Sequence, residues 1–189
     1  GWSTQVGVRY LFENRIGGQT NFNYSTDKGS TNAYGQSVRI QQPEAWMKIA
    51  YRMNDQHRFA FYGSGFHQDQ NSYFGITNYK AAQTNGYANF QYELGYANGS
   101  VVKSGISYRH LDLRERISFS NNSLNRTYAG NYDKIENIPG VFVENTWNMN
   151  GKDPDRLVLI TGIRADHHNQ FGWNVTPRAL VKYKAAENT

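Results

Sequence analysis

The chain of 189 residues contains no cysteine. Disulfide staples, thiolate nucleophiles and zinc centres built on sulfur are therefore excluded. No apolar run approaches the roughly 18 residues that a membrane-spanning helix requires. That excludes helical spans only, because a barrel strand crosses with about 9–11 residues of alternating character. The opening residues GWSTQVGVRY have neither the basic start nor the apolar centre of a secretory leader. On that basis the chain is either cytoplasmic or lacks its natural beginning. Proline is scarce at 4 residues, so extended strands meet few breakers. What the chain does have is aromatic side chains: 14 Tyr, 10 Phe and 4 Trp, against a mean hydropathy of −0.76. That aromatic content argues against disorder. The net charge of +5 would suit a polyanion, but the basic residues are spread along the chain rather than gathered in one stripe. A nucleic-acid partner is therefore not expected.

The dominant pattern has period two. Val6, Val8, Tyr10 and Phe12 alternate with Gln5, Gly7, Arg9 and Glu13, and Met47, Ile49, Tyr51 and Met53 alternate with Lys48 and Arg52. Phe59 and Phe61 oppose Arg58 and Ala60; Ala88, Phe90, Tyr92 and Leu94 oppose Asn89, Gln91 and Glu93. The same holds for Val102, Ile106 and Tyr108 against Lys103, Ser107 and Arg109, and for Val141, Val143, Trp147 and Met149 against Gly140, Glu144, Thr146 and Asn148. Two further strands follow. Leu157, Leu159, Ile163 and Ala165 face away from Arg164, Asp166 and His168, and Ala179, Val181 and Tyr183 face away from Arg178 and Lys182. This makes about eight strands and no convincing helix.

Connections rich in turn formers (NDQ, ANGS, NGKDPD) alternate with polar stretches at 15–41, 69–82 and 115–136. Pro43, Pro139 and Pro177 sit where strands would return from the long-loop end, and Pro154 lies in a turn. Trp2, Phe12, Trp46, Tyr96, Trp147, Trp173 and Tyr183 are placed as interfacial girdles would require. Short turns at one end and longer loops at the other are the mark of a transmembrane barrel. A soluble sandwich would also alternate, but its strands usually run about five or six residues. It would also not carry mid-strand charge such as Arg9, Lys48, Glu93, Glu144 and Arg164. The expected fold is all-β: an antiparallel up-and-down transmembrane β-barrel, with residues 1–189 forming one partial barrel domain.

The stretch RADHHNQFGWNVTPR (164–178) looks at first like a metal site. On a strand, however, His167 and His168 point to opposite faces and cannot share an ion. Arg164, Asp166 and His168 share the polar face, with Arg178 expected nearby on the next strand and Glu144 on the same side. A polar network of these residues, with no metal and no cofactor, is the simpler expectation.

This stretch carries a resemblance. GIRADHHNQFGWNVTPRALVKYK, through Gly162, Arg164, Asp166, His168, Gly172, Thr176, Pro177 and Arg178, resembles the barrel region of TonB-dependent outer-membrane transporters, particularly those of Bacteroidetes. Segments 73–92 and 137–147 are similar to further parts of these barrels. The resemblance implies a place in the bacterial outer membrane, among its lipid and lipopolysaccharide, as part of a barrel of about 22 strands. It also implies energised uptake of a scarce large ligand: a siderophore, haem, cobalamin or an oligosaccharide. TonB would act through a plug that this chain does not show, and some relatives carry a surface lipoprotein. Ligand contacts would fall on the stretches 15–41, 69–82 and 115–136. The chain also departs from the family pattern. It ends at AAENT without a terminal aromatic residue, and Asn145 falls on the apolar face.

Eight strands must close on themselves or continue into others, because an open edge cannot face hydrocarbon. The resemblance favours continuation. The alternative is a self-contained eight-stranded barrel serving as an adhesin or structural anchor, for which direct pairing of the first and last strands would be the sign. An enzyme is not expected: Gly63-Ser64-Gly65 lacks the spacing of a nucleophile elbow.

Overall fold

In the computed structural model, which describes residues 1–120, 128–149 and 156–185, alternation becomes one eight-stranded antiparallel sheet. Its strands are β1 (Trp2–Gly18), β2 (Gly35–Arg52), β3 (His57–Phe74), β4 (Thr77–Gly95), β5 (Val101–Phe119), β6 (Gly130–Asn148), β7 (Leu157–His168) and β8 (Gly172–Tyr183). They pair strictly in sequence order, each with the next. A one-turn helix, α1 (Tyr24–Asp27), lies in the β1–β2 connection, capped at its start by Asn23. β1 and β8 do not pair, so the sheet is open. That finding counts against the self-closed eight-stranded barrel.

The registers put the alternating residues on common faces. Val6 lies opposite Met47, Met47 opposite Gly63, Gly63 opposite Ala88, Ala88 opposite Tyr108, and Tyr108 opposite Pro139. The polar face is equally continuous, and exposure is inverted relative to a soluble protein. Val8 on the apolar face is 81% exposed and Ile106 60%, whereas Asn89 and Ser107 on the polar face are 4% and 7% exposed. Side chains converge on the concave side of a curved sheet and splay on its convex side. The polar face is therefore the inner one, and the apolar face is left for a solvent that is not water. Asn145 pairs with Val102 and Thr161 on the apolar side, so the strand register runs through it unbroken.

Four expectations need correction. The stretch 69–82 is not a loop: β3 and β4 continue to Phe74 and from Thr77, joined by a tight turn at Gly75, whose φ is +60°. Above an apolar band both faces of a strand meet water, so hydrophobic alternation fades while the backbone ladder continues. For the same reason the other two long connections shrink to 19–34 and 120–129, of which 121–127 lie outside the described residues. Pro43 and Pro139 lie well inside β2 and β6. They are tolerated because the recorded pairing with the following strand skips Pro43 and begins only after Pro139. Trp46 is no girdle residue: it opposes Gly7 and Ser64 on the polar face. There its indole occupies the space that a Cβ on Gly7 would need, 2.4 Å away. The connection NGKDPD (150–155), with Pro154, lies outside the described residues.

Girdle aromatics do gather on the apolar side at the end of the short turns. Trp2 packs against Tyr51 at 4.6 Å between ring centroids, and Phe59 against Tyr92 at 5.1 Å. At the opposite end Trp173 meets the edge of His167 at 5.0 Å.

Candidate functional site: the inner wall

The inner face is built from side chains that adjacent strands bring side by side. Arg164 on β7 is held by Asp166 of its own strand through two charge-assisted hydrogen bonds: Nε donates to Oδ2 at 2.7 Å and Nη2 to Oδ1 at 2.6 Å. Residues two apart on a strand share a face, which is why both reach inward. Nη2 also donates to the Ser107 hydroxyl of β5 at 2.7 Å, bridging over β6. It can do so because the β6 residue beneath is Gly140; a Cβ there would lie 2.1 Å from Asp166 Oδ1 and 2.8 Å from Arg164 Nη2. Ser107 and Gly140 were readable as polar-face residues, but their place in this cluster depends on a register that no short motif encodes.

Arg178 joins the face but not that cluster. Its register partner is Gly162, which stands opposite Glu144, and Arg178 Nη2 bonds Glu144 Oε2 at 2.6 Å across the side-chain-free glycine. The expected single network is therefore divided. His168 lies 3.4 Å from Glu136, which is itself paired with Lys134 at 2.5 Å. Glu136 and Lys134 were missed because the sequence reading placed them in a loop. His167 points to the apolar face, as strand geometry requires. Among the described residues no cluster of His, Asp or Glu is arranged to hold a metal.

One inner row alternates in sign across the wall. Arg58 bonds Glu93 at 3.1 Å, Lys103 lies 3.7 Å from the same carboxylate, and Glu144 and Arg178 follow in the same register line. Arg9 and Glu44 add a further pair at 2.8 Å. These groups are partly exposed, so each pair adds little to stability. Their arrangement gives instead a polar, sign-alternating surface on the inner face.

The family model described as "TonB dependent receptor-like, beta-barrel" matches residues 1–189, the whole chain. The chain belongs to this family. The wall is accordingly an outer-membrane one, and its inner face is a barrel lumen. Among solved structures, the alcaligin outer-membrane receptor FauA from Bordetella pertussis superposes with a TM-score of 0.73 at 12% identity, over 98% of this chain and 31% of that one. The ferric citrate transporter FecA in its unliganded form is also similar, at 12% identity and a TM-score of 0.49, over 96% of this chain and 32% of that one. The chain thus spans about a third of the length of these solved receptors. No curated protein matches it.

Proposed function

We propose that the chain is a barrel-wall segment of a TonB-dependent transporter that takes up a scarce large ligand across the outer membrane. The observation that carries this is the family match over residues 1–189 together with an open sheet whose inner face is charged and whose outer face is apolar. A siderophore, haem, cobalamin or an oligosaccharide fits the reading. The Asp166-to-Arg178 stretch supports a Bacteroidetes-type member.

In this reading the partial barrel domain 1–189 is completed by further strands. A plug packs against the alternating-sign row of Arg58, Glu93, Lys103, Glu144 and Arg178, and TonB acts through that plug. The end with the longer connections faces outward, as in barrels with short periplasmic turns. Connection 19–34 and the tall β3–β4 hairpin then stand around the entrance, where a ligand or a surface lipoprotein would meet them.

The test is uptake by cells that have or lack the full-length protein, using labelled ferric siderophores, haem, cobalamin and oligosaccharides, each with TonB intact or deleted. The expected result is that one ligand class enters only when both the protein and TonB are present. Uptake of every class independent of the protein, or independent of TonB, would overturn the proposal.

A further inference from the structure

β6 stands taller than the strand that follows it. It pairs with β7 only from Gly140 to Asn148, whereas its pairing with β5 continues up to Gly130, opposite Ile117. β7 ends at His168 and the chain returns as β8 from Gly172, so residues 130–136 rise above that turn with a neighbour on one side only. At about 3.4 Å per residue the free edge is roughly 20 Å long.

The direction of the backbone groups along this edge is fixed by what lies at its foot. Asn137 turns both its N–H and its C=O away from β5, and Asn169 of the β7–β8 turn takes both. The Asn169 N–H donates to Asn137 O at 3.2 Å, and the Asn137 N–H donates to Asn169 Oδ1 at 2.9 Å. Asn169 Nδ2 then donates to Ile135 O at 2.9 Å. One asparagine thus stands in for the first rung of a paired strand. Residues two apart repeat the direction, so the Ile135 N–H and the N–H and C=O of Asp133 and Asn131 also point off the edge. Among the described residues nothing bonds to these five groups, and residues 131–135 are exposed throughout. β1 and β8 also have free sides. A wall strand added there would neighbour β1 or β8 and not β6, whose next place in the sheet β7 already holds.

We propose that the upper edge of β6 is a docking site for an extended segment of another protein, which adds to the wall as a short strand above the β7–β8 turn. Donors and acceptors that recur at every second residue match a polypeptide backbone, a repeat that a sugar or a metal chelate does not offer. The side chains set the chemistry of the guest. On the inner side Lys134 is already taken by Glu136 at 2.5 Å. On the outer side the cross-strand neighbour of Asp133 is Arg114, which bonds Asp112 instead. No cation among the described residues lies within ion-pair distance of the Asp133 carboxylate. The guest therefore carries a basic residue beside Asp133 and an apolar one beside Ile135, which is on the same face and 48% exposed. A second copy of this edge does not fit. Antiparallel pairing centred on the exposed run sets Asp133 against Asp133 or, one residue along, Lys134 against Lys134, and like charges directly opposite destabilise. Both faces of the edge are open, so a segment within a longer chain can enter and leave it. The proposal goes beyond transport and needs only that the upper wall stands in water.

The test uses the full-length protein in lipid nanodiscs and the capped peptide Thr-Val-Thr-Lys-Thr-Val-Thr. Bound peptide should slow amide hydrogen exchange at Asp133 and Ile135 and leave Tyr132 and Lys134, already paired with β5, unchanged. N-methylating the second, fourth and sixth residues of the peptide removes its rungs and should abolish binding. Replacing its Lys by Glu should weaken binding by about fivefold. Asp133→Pro removes an edge N–H without touching the β5 ladder and should weaken binding by about tenfold. Asp133→Asn keeps the backbone intact and should weaken it by about threefold. No binding by the wild type at millimolar peptide would overturn the proposal, as would unchanged affinity for the N-methylated peptide or unchanged affinity of both Asp133 variants. Tighter binding of the peptide with free ends than of the capped one would also overturn it, because the site would then take free peptides and not a segment within a chain. Uptake plays no part in these readouts.

Discussion

Replacing Gly140 by alanine tests whether the inner-wall cluster depends on a missing side chain. The added Cβ would lie 2.1 Å from Asp166 Oδ1, 2.8 Å from Arg164 Nη2 and 3.0 Å from Ser107 Oγ. All three atoms must retreat, and the two bonds between Arg164 and Asp166 cannot both survive. A hydrogen bond to a charged group is worth about 1.5–3 kcal/mol. Arg164's side chain is 38% exposed, which screens the pair, so the loss is about 2 kcal/mol. Alanine itself is favoured over glycine within a strand by about 0.5–1 kcal/mol. The single substitution should therefore destabilise by about 1–1.5 kcal/mol. In an Asp166→Ala background the closest contact is removed and the Arg164 side chain, no longer held by its carboxylate, is free to swing aside, so the same change should be neutral or stabilising. The coupling between the two sites, read by urea unfolding of the full-length protein in vesicles, should be about 2 kcal/mol. A coupling below about 0.5 kcal/mol would refute the argument, because the glycine would then not be serving the ion pair.

Further substitutions probe other parts of the wall. Val6→Arg on the outer face should cost about 2–4 kcal/mol in unfolding from bilayers, while Gln5→Arg on the lumenal side should cost little. Equal costs would mean the faces are misassigned. Asn145 presents a side-chain oxygen without a hydrogen-bond partner on the apolar face, so Asn145→Val should stabilise by about 1–2 kcal/mol; a destabilised variant would mean the amide is satisfied. Gly7→Val should displace the Trp46 indole and change its emission, and an unchanged spectrum would place that ring elsewhere. Arg178→Gln should cost no more than about 1 kcal/mol, since its pair with Glu144 is well solvated. A larger loss would show a buried role.

Much of this architecture was legible because a period of two is a one-dimensional signal. The lipid and lumenal faces of β1, β2, β4 and β8 follow from reading every second residue, and so does the separation of His167 from His168. Register is not one-dimensional. That Arg178 meets Glu144 rather than Asp166 depends on an offset between β7 and β8 set over their whole length. The hairpin at 69–82 was hidden for a different reason. Once strands rise beyond the apolar band, nothing forces alternation, and polar sequences such as QDQNS read as loop although every residue of it pairs with β4.

The central claim is that the apolar face meets lipid and the charged face lines a lumen. Single cysteines carrying a fluorophore, placed in the full-length protein at Val6, Ile106 and Val175 and at their polar-face counterparts Gln5, Gln91 and Asn174, measure this directly in vesicles containing brominated lipid. The account predicts strong quenching at the first three sites and little at the second three. Quenching that fails to alternate between the two sets, or that is stronger at Gln5, Gln91 and Asn174, would contradict it.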